Sequence, residues 1–307
     1  MSQTGGEVVK PRNYKPPVMT KDEDLATIVE FSAIIEKIGT NGPGLKDDEA
    51  AVTVIDVSDA KNFKIGSYRG DQQFYTASVV KMFYMAALRR QLEDKKLATS
   101  DELVRGERDM IVDSSNEATQ YILDVITGTS SGAELPAKQF DAWQHKRNRV
   151  NRYFASMGYT NINVNQKTFC EDAYGIEQQS RKYKGQNRNM LTTDATARLM
   201  AEIVTGNIVG PEHTRKMMEL MSRDPFAKKD DSQGSEFIGR ALVDLKLTNA
   251  KIWSKAGWTS KVRHDAAYID FGNGRKIVIA IFTENHSNQK DIIPAMAKVI
   301  IEAVRGK

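Results

Sequence analysis

The chain has 307 residues, with 44 lysines and arginines against 40 aspartates and glutamates and a formal net charge of +4 at pH 7. That length readily buries a sizeable core and suits one large domain or two modest ones. The charges are interspersed, and without a basic run interleaved with aromatics no nucleic-acid partner is expected.

Residues 1–23 are polar and proline-containing, which predicts a mobile lead-in. They hold no apolar core of the kind a signal peptide needs. The chain therefore reads as cytoplasmic if it is the full gene product, and as periplasmic or secreted if it is a processed form. Leu25, Ile28, Val29, Phe31, Ile34, Ile35 and Ile38 recur at helical spacing, giving a first helix that Gly39 ends. Residues 51–57 and 63–68 follow as two strands joined by a short turn. A mostly helical block runs from Ser78 to about Met221. Inside it, residues 140–159 make a basic helix that packs Trp143, Val150, Tyr153 and Phe154 inward rather than lying on a membrane. Residues 241–247, 251–258, 266–271 and 276–283 read as strands, with Asn273-Gly274 as the hairpin turn between the last two. A helix over 292–304 closes the chain.

The sheet is thus drawn from both ends of the chain, with a helical domain inserted between them in an α+β arrangement. The division expected is a segment 1–23, an α/β part made of 24–73 and 222–307, and a helical part 74–221. The longest apolar stretches, near 74–88 and 277–282, are too short or too charged to span a membrane. His145, His213, His264 and His286 lack paired ligand spacing and Cys170 stands alone, so neither a metal nor another cofactor is expected. Cys170 reads as a lone buried thiol.

Ser78-Val79-Val80-Lys81 sits near the start of the apolar helical run 74–88. Residues three apart on a helix have Cβ atoms roughly 5–6 Å apart, so Lys81 can reach the Ser78 hydroxyl. A serine becomes a good nucleophile only when a neighbour takes its proton, and a lysine does that only when desolvated or near another cation. Lowering a lysine from about 10.4 to about 7 requires roughly 4.6 kcal/mol, which an apolar helix and a second lysine could supply. Free N–H groups at the helix start add donors for a developing oxyanion. Taken singly, the tetrapeptide is equally a serine bonded to its own helix and a lysine reaching for solvent.

Two further elements change that balance. Ser114-Ser115-Asn116 reads as a loop entering a helix, where such side chains act as caps. In a functional reading, the Ser114 hydroxyl passes a proton to the leaving group and the Asn116 amide orients substrate or Lys81. Lys255-Ala256-Gly257 lies in the strand 251–258, where a glycine often marks close backbone approach by a ligand. Lys255 would attract a substrate carboxylate, and the Trp258 N–H would complete an oxyanion hole with that of Ser78.

In this order the three elements resemble those of the class A β-lactamases and the wider group of serine penicillin-recognising enzymes: Ser-x-x-Lys, Ser-Asp-Asn and Lys-Thr/Ser-Gly. The likeness extends to "DMIVDSSNEATQYIL", "NMLTTDATARLMAEIVTG" and "KAGWTSKVRHDAAYIDFGNGRKIVIAIFTEN", and covers about Asp24 to Val304. It implies a three-layer α/β/α fold, an antiparallel sheet with helices on both faces. It also implies a monomer that opens β-lactams or related amides and esters through an acyl-enzyme. A D,D-peptidase or esterase, and a slowly deacylating penicillin-binding sensor, are the alternatives.

Three departures from the family pattern bear on that expectation. Ser115 replaces an aspartate, a change expected to affect loop packing more than chemistry. Ala256 replaces the hydroxyl residue that binds the substrate carboxylate, which predicts penicillin recognition weaker by about 1.5–3 kcal/mol unless Thr259 compensates. The omega-loop Glu-x-x-Asn, whose glutamate activates the deacylating water, is absent. Glu171 and Glu177 are the candidates, and the turn Asp172-Ala173-Tyr174-Gly175 favours Glu171. A positioned base contributes typically 10²–10⁴-fold, so without one an acyl-enzyme would form and then turn over slowly.

Overall fold

The computed structural model describes residues 5–38, 44–227 and 232–306. In chain order the first elements are β1 (Met19–Lys21), α1 (Glu23–Ile38), β2 (Ala50–Asp56), β3 (Phe63–Tyr68) and β4 (Phe74–Tyr75). A 3-10 turn, Ala77–Val79, leads into α2 (Val80–Glu93), α3 (Asp101–Ile111), α4 (Asn116–Thr127), α5 (Ala137–Arg147), α6 (Arg149–Ser156) and α7 (Ile176–Arg181). Then come β5 (Met190–Leu191), α8 (Thr193–Val204), α9 (Pro211–Met221), β6 (Ser222–Arg223), α10 (Ser232–Ser235) and α11 (Ile238–Asp244). The chain closes with β7 (Lys251–Trp258), β8 (Val262–Asp270), β9 (Lys276–Glu284) and α12 (Ile292–Val304).

Two units emerge. The sheet unit comprises Pro17–Val79, Thr192–Thr205 and Met221–Lys307, and the helical unit comprises Met1–Pro16, Val80–Leu191 and Gly206–Leu220. In the sheet unit seven strands take the order β1-β3-β2-β9-β8-β7-β6. All neighbours run antiparallel except β1 and β3, which pair parallel. Every residue of β2 is buried, so both faces of the sheet are covered. Val52 and Val54 join a core with Leu25 and Val29 of α1, Leu242 of α11 and Met296 and Ile300 of α12. Thr53, between the two valines, turns to the opposite face. There its Oγ1 bonds to Thr193 Oγ1 at 2.9 Å and donates to Asp194 Oδ1 of α8 at 2.6 Å. Helices on both faces of a mainly antiparallel sheet give the three-layer α+β fold that the sequence suggests. Each fully buried aliphatic side chain in such a core contributes about 1.5–3 kcal/mol.

Several elements differ from expectation. Residues 241–247 are not a strand; α11 occupies Ile238–Asp244, with Ile238, Ala241 and Leu242 buried at helical spacing. So short an apolar run fits either period, and packing against α12 decides it. The Leu247 N–H returns to Leu242 O at 2.9 Å and Lys246 takes φ +55°, ending the helix. Residues 140–159 form two helices, α5 and α6, that meet at Asn148. Val150, Tyr153 and Phe154 are buried as expected, whereas Trp143 is only partly covered and lies under the Arg147 guanidinium. The described part of the lead-in is folded rather than free. Met19–Lys21 extends the sheet, the Gly5 N–H donates to Val125 O at 2.7 Å, and the Glu7 carboxylate accepts from Arg149 and Arg152. Arg149 and Arg152 belong to the basic run, and they recruit Glu7 from this segment. Helix α8 groups with the sheet unit, because Thr193 and Asp194 bond into it, and not with the helical block. The expected helix end at Gly39 lies outside the described residues.

Candidate functional site

In the sheet unit the site is built around Ser78. The turn Ala77–Val79 is held by the Val79 N–H donating to Thr76 O at 3.1 Å and by Thr76 Oγ1 donating to Ala77 O at 3.0 Å. Ala77 has φ +43°. A non-glycine residue in that region costs about 1–3 kcal/mol and persists only where its surroundings enforce it. β7 supplies part of the enforcement. A Cβ on Gly257 would stand 2.5 Å from Ser78 N and 2.9 Å from Val79 N. The glycine expected to admit a ligand thus admits the Ser78 turn itself.

The neighbours of Gly257 are fixed as firmly. Lys255 is fully buried, and its Nζ donates to Gln233 Oε1 at 2.5 Å and to Ala256 O at 2.8 Å. The Ala256 methyl belongs to the core on the α11–α12 face of the sheet. Trp258 ends the strand 45% exposed, tilted against Phe237 at 5.6 Å between centroids. Thr259 Oγ1 accepts from the N–H groups of Lys261 and Val262, closing the β7–β8 turn. Buried Asp265, paired with Ala256 in the ladder, accepts from the Ile238 N–H through Oδ2, while its Oδ1 has no hydrogen-bond partner among the described residues. Burial pushes its pKa up to about 7, against the nearby charge of Lys255.

In the helical unit the centre is Lys81. The first nine residues of α2 are all buried, Lys81 among them. Its Nζ donates to Ser114 O, to Ser114 Oγ at 3.2 Å and to Asn116 Oδ1 at 3.0 Å. Burial lowers its pKa from 10.5 to about 7, and the charges of Glu117 and Cys170 offset only part of that. This is the shift a lysine base needs. Ser114 reaches the amine from a strained backbone, φ +56°. Ser115 caps α4, its Oγ accepting from the Ala118 N–H at 3.1 Å, so the residue that departs from the family aspartate has a local structural task. Ser114 and Asn116 are thereby held on either side of a helix cap, both aimed at one amine.

Sequence reasoning missed two neighbours of this amine. Cys170 is exposed rather than buried, and Asn116 Nδ2 donates to its Sγ at 3.4 Å. Glu117 Oε1 lies 4.0 Å from the same sulfur, and its Oε2 accepts from Ser115 Oγ at 3.2 Å. Segment 163–175 carries no regular element beyond an isolated bridge, so no period in the sequence could orient Cys170. The two omega-segment glutamates separate clearly. Glu171 is exposed. Glu177 is buried, with Arg147 Nη1 and Nη2 each donating to it at 2.7 Å, Ser131 Oγ at 2.9 Å and Lys167 Nζ at 3.4 Å. Burial pushes its carboxyl up, but Arg147 and Lys167 outweigh that and hold it below the ordinary range. Among the described residues no group of three or more His, Cys, Asp and Glu is placed to hold a metal ion, and no helix is long and apolar enough to cross a membrane.

A serine turn braced by a glycine strand and a buried, deprotonatable lysine three residues on are features that sequence comparison can test. The sequence model described as the beta-lactamase enzyme family matches residues 33–304. The chain belongs to this family. Solved structures with the same fold include a β-lactamase from Sphaerobacter thermophilus, 19% identical, covering 92% of this chain and 97% of that one with a TM-score of 0.63. PBP-A is 17% identical, with 95% and 100% covered and a TM-score of 0.64. A β-lactamase from Xanthomonas campestris is 13% identical, with 92% and 99% covered and a TM-score of 0.64. No curated protein sequence matches. The family supports a hydrolase, and at these identities the structures speak to fold alone.

Proposed function

We propose that this chain is a serine acyl-transfer enzyme of the class A type that opens β-lactams or related amides and esters through an acyl-enzyme. The observation that carries the reading is the Lys81 amine, buried, brought to about 7 and bonded to Ser114 and Asn116, three residues after the Ser78 turn. Ser78 attacks the carbonyl and Lys81 takes its proton. Ser114 relays that proton to the leaving group. The N–H groups of Ser78 and Trp258 receive the oxyanion. Lys255 attracts the substrate carboxylate, Asn116 orients substrate or Lys81 by its amide, and the strand edge at Ala256 and Gly257 docks the substrate. The Thr259 hydroxyl, whose oxygen accepts from the Lys261 and Val262 N–H groups, compensates with its own hydrogen for the missing hydroxyl at Ala256. The substrate is a small molecule, and the chemistry asked of these residues needs no cofactor.

A second reading concerns turnover, and Glu177 favours it. With its oxygens engaged by Arg147, Lys167 and Ser131, Glu177 is withdrawn from base catalysis, which leaves exposed Glu171 as the omega-segment candidate. Slow deacylation, as in a penicillin-binding sensor or a sluggish D,D-peptidase or esterase, fits that arrangement. A point mutant of PBP-A, 17% identical over 95% of this chain, is known as an acyl-enzyme complex with penicillin G.

A fluorescent penicillin followed by intact-mass spectrometry tests both readings. The wild type is expected to gain one adduct, and Ser78→Ala none. Labelling that persists in Ser78→Ala overturns the nucleophile. An adduct that lasts for hours identifies the slow deacylator, whereas its loss with product release identifies a turning-over lactamase.

A further inference from the structure

His264 lies on β8 opposite Gly257 in the ladder and is fully buried. Both ring nitrogens are engaged. Nδ1 accepts the Thr283 N–H at 3.2 Å, which makes Nε2 the protonated nitrogen, donating to the Tyr75 carbonyl at 2.8 Å. Phe74 meets the ring edge-on at 6.0 Å between centroids and Phe282 lies at 4.4 Å, so the imidazole has one orientation in which both bonds are made. Burial lowers its pKa to about 4, keeping the ring neutral and this tautomer in place at neutral pH.

Tyr75 is three residues before Ser78, and between them Ala77 holds φ +43°. A backbone in that conformation relaxes unless it is fixed at both ends. Gly257 packs on the Ser78 end of the turn, and His264 bonds to the Tyr75 end. Paired residues of β7 and β8 therefore brace the same five-residue segment. We propose that His264 is a positioning residue for Ser78, its Nε2–H anchoring the Tyr75 carbonyl and through it the strained turn that presents the nucleophile. The inference rests on Ser78 being the nucleophile.

The test compares His264→Leu, which removes both bonds, with His264→Gln, whose side-chain amide can still donate to Tyr75 O. Misplacing a reacting group by about 1 Å can cost on the order of 10²-fold. In His264→Leu the single-turnover acylation rate by penicillin is expected to fall at least about tenfold, with penicillin affinity changed less than about threefold. His264→Gln is expected to recover most of the rate. Backbone hydrogen exchange over residues 75–79 should rise in His264→Leu and stay low in His264→Gln. Equal acylation in His264→Leu and wild type overturns the proposal, as does a His264→Gln variant as slow as His264→Leu. If the wild type takes up no penicillin, the β-lactam reading fails separately, and exchange decides alone: unchanged protection in His264→Leu overturns the positioning role. Should His264→Leu fail to fold, His264→Asn, whose shorter amide does not reach Tyr75 O, takes its place in both measurements.

Discussion

Lys81 must satisfy two opposed requirements, staying inside an apolar helix and holding three hydrogen bonds as a donor. Burial settles the contest by bringing its pKa to about 7, so near neutral pH the amine is part protonated donor and part free base. Only the free base accepts the proton of Ser78. Acylation is therefore expected to rise about tenfold per pH unit below 7 and to level off above it. Glu117 raises the Lys81 pKa by its charge, so Glu117→Gln should move the inflection to lower pH. Asp265 also titrates near 7, but it lies beside Lys255, and Asp265→Asn should leave the inflection where it is. Rates that stay flat between pH 5.5 and 8.5 in single-turnover experiments would rule out Lys81 as the base. At this scale the sequence is legible where a motif carries chemistry. Ser78, Lys81, Ser114, Asn116, Lys255 and Gly257 stand out by type and order. Gln233, Glu117 and Cys170 do not, because Gln233 of α10 meets Lys255 of β7 across 22 residues of sequence and Glu117 meets Cys170 across 53, the latter in a segment that has no period.

Among the elements, the omega segment shows why a glutamate's place cannot be read by counting. Counting forward from Met157-Gly158 points to Glu171, and counting backward from Thr192-Thr193 points to Glu177. What separates them is a buried cluster assembled from distant parts of the helical unit. Arg147 of α5 bonds to Glu177 of α7 and Asp124 of α4, while Lys167 donates to Asp124 Oδ2 and Ser131 Oγ. These partners are 23 to 43 residues apart in sequence. Removing one member of a buried ion pair leaves the other charge uncompensated, at about 3–5 kcal/mol. Glu177→Gln is expected to destabilise the protein by that order in urea melts. Glu171→Gln, on an exposed carboxylate, should change stability by less than about 0.5 kcal/mol. In adduct-decay measurements Glu171→Gln should prolong the acyl-enzyme if Glu171 activates water. If its decay matches wild type, Glu171 is excluded as the deacylating base. The same contrast of local pattern and distant partner explains α11, which the sequence reads as a strand and α12 makes a helix.

For the whole molecule, amphipathic helices are legible because burial on one face imposes a period, and the central strands by their apolar, β-branched runs, since both faces of the sheet are covered; β3 and α12 match the expected bounds. Not legible were the folded lead-in and the grouping of α8 with the sheet, since each depends on hydrogen bonds to residues far along the chain. The buried ionisable groups leave a signature in global stability that follows from the sign of their shifts. Asp265 has its pKa raised to about 7, so between about pH 4 and 7 the folded state binds a proton that the unfolded chain has released. Its stabilising contribution is complete below the unfolded pKa and is lost as pH rises through 7. Lys81 has its pKa lowered to about 7, so above 7 the unfolded chain holds the extra proton, and stability recovers as pH rises toward 10. Each slope has a ceiling of about 1.36 kcal/mol per pH unit. Together the two groups place a stability minimum near pH 7. Calorimetric melting from pH 5 to 9 on wild type, Asp265→Asn and Lys81→Met isolates them by difference. The wild-type Tm minus that of Asp265→Asn should fall between pH 5 and 7.5, and wild type minus Lys81→Met should rise between 7 and 9. A difference that does not vary with pH would show that the group concerned keeps its ordinary pKa in the fold. For Lys81 that outcome would also remove the chemical basis for its acting as a base.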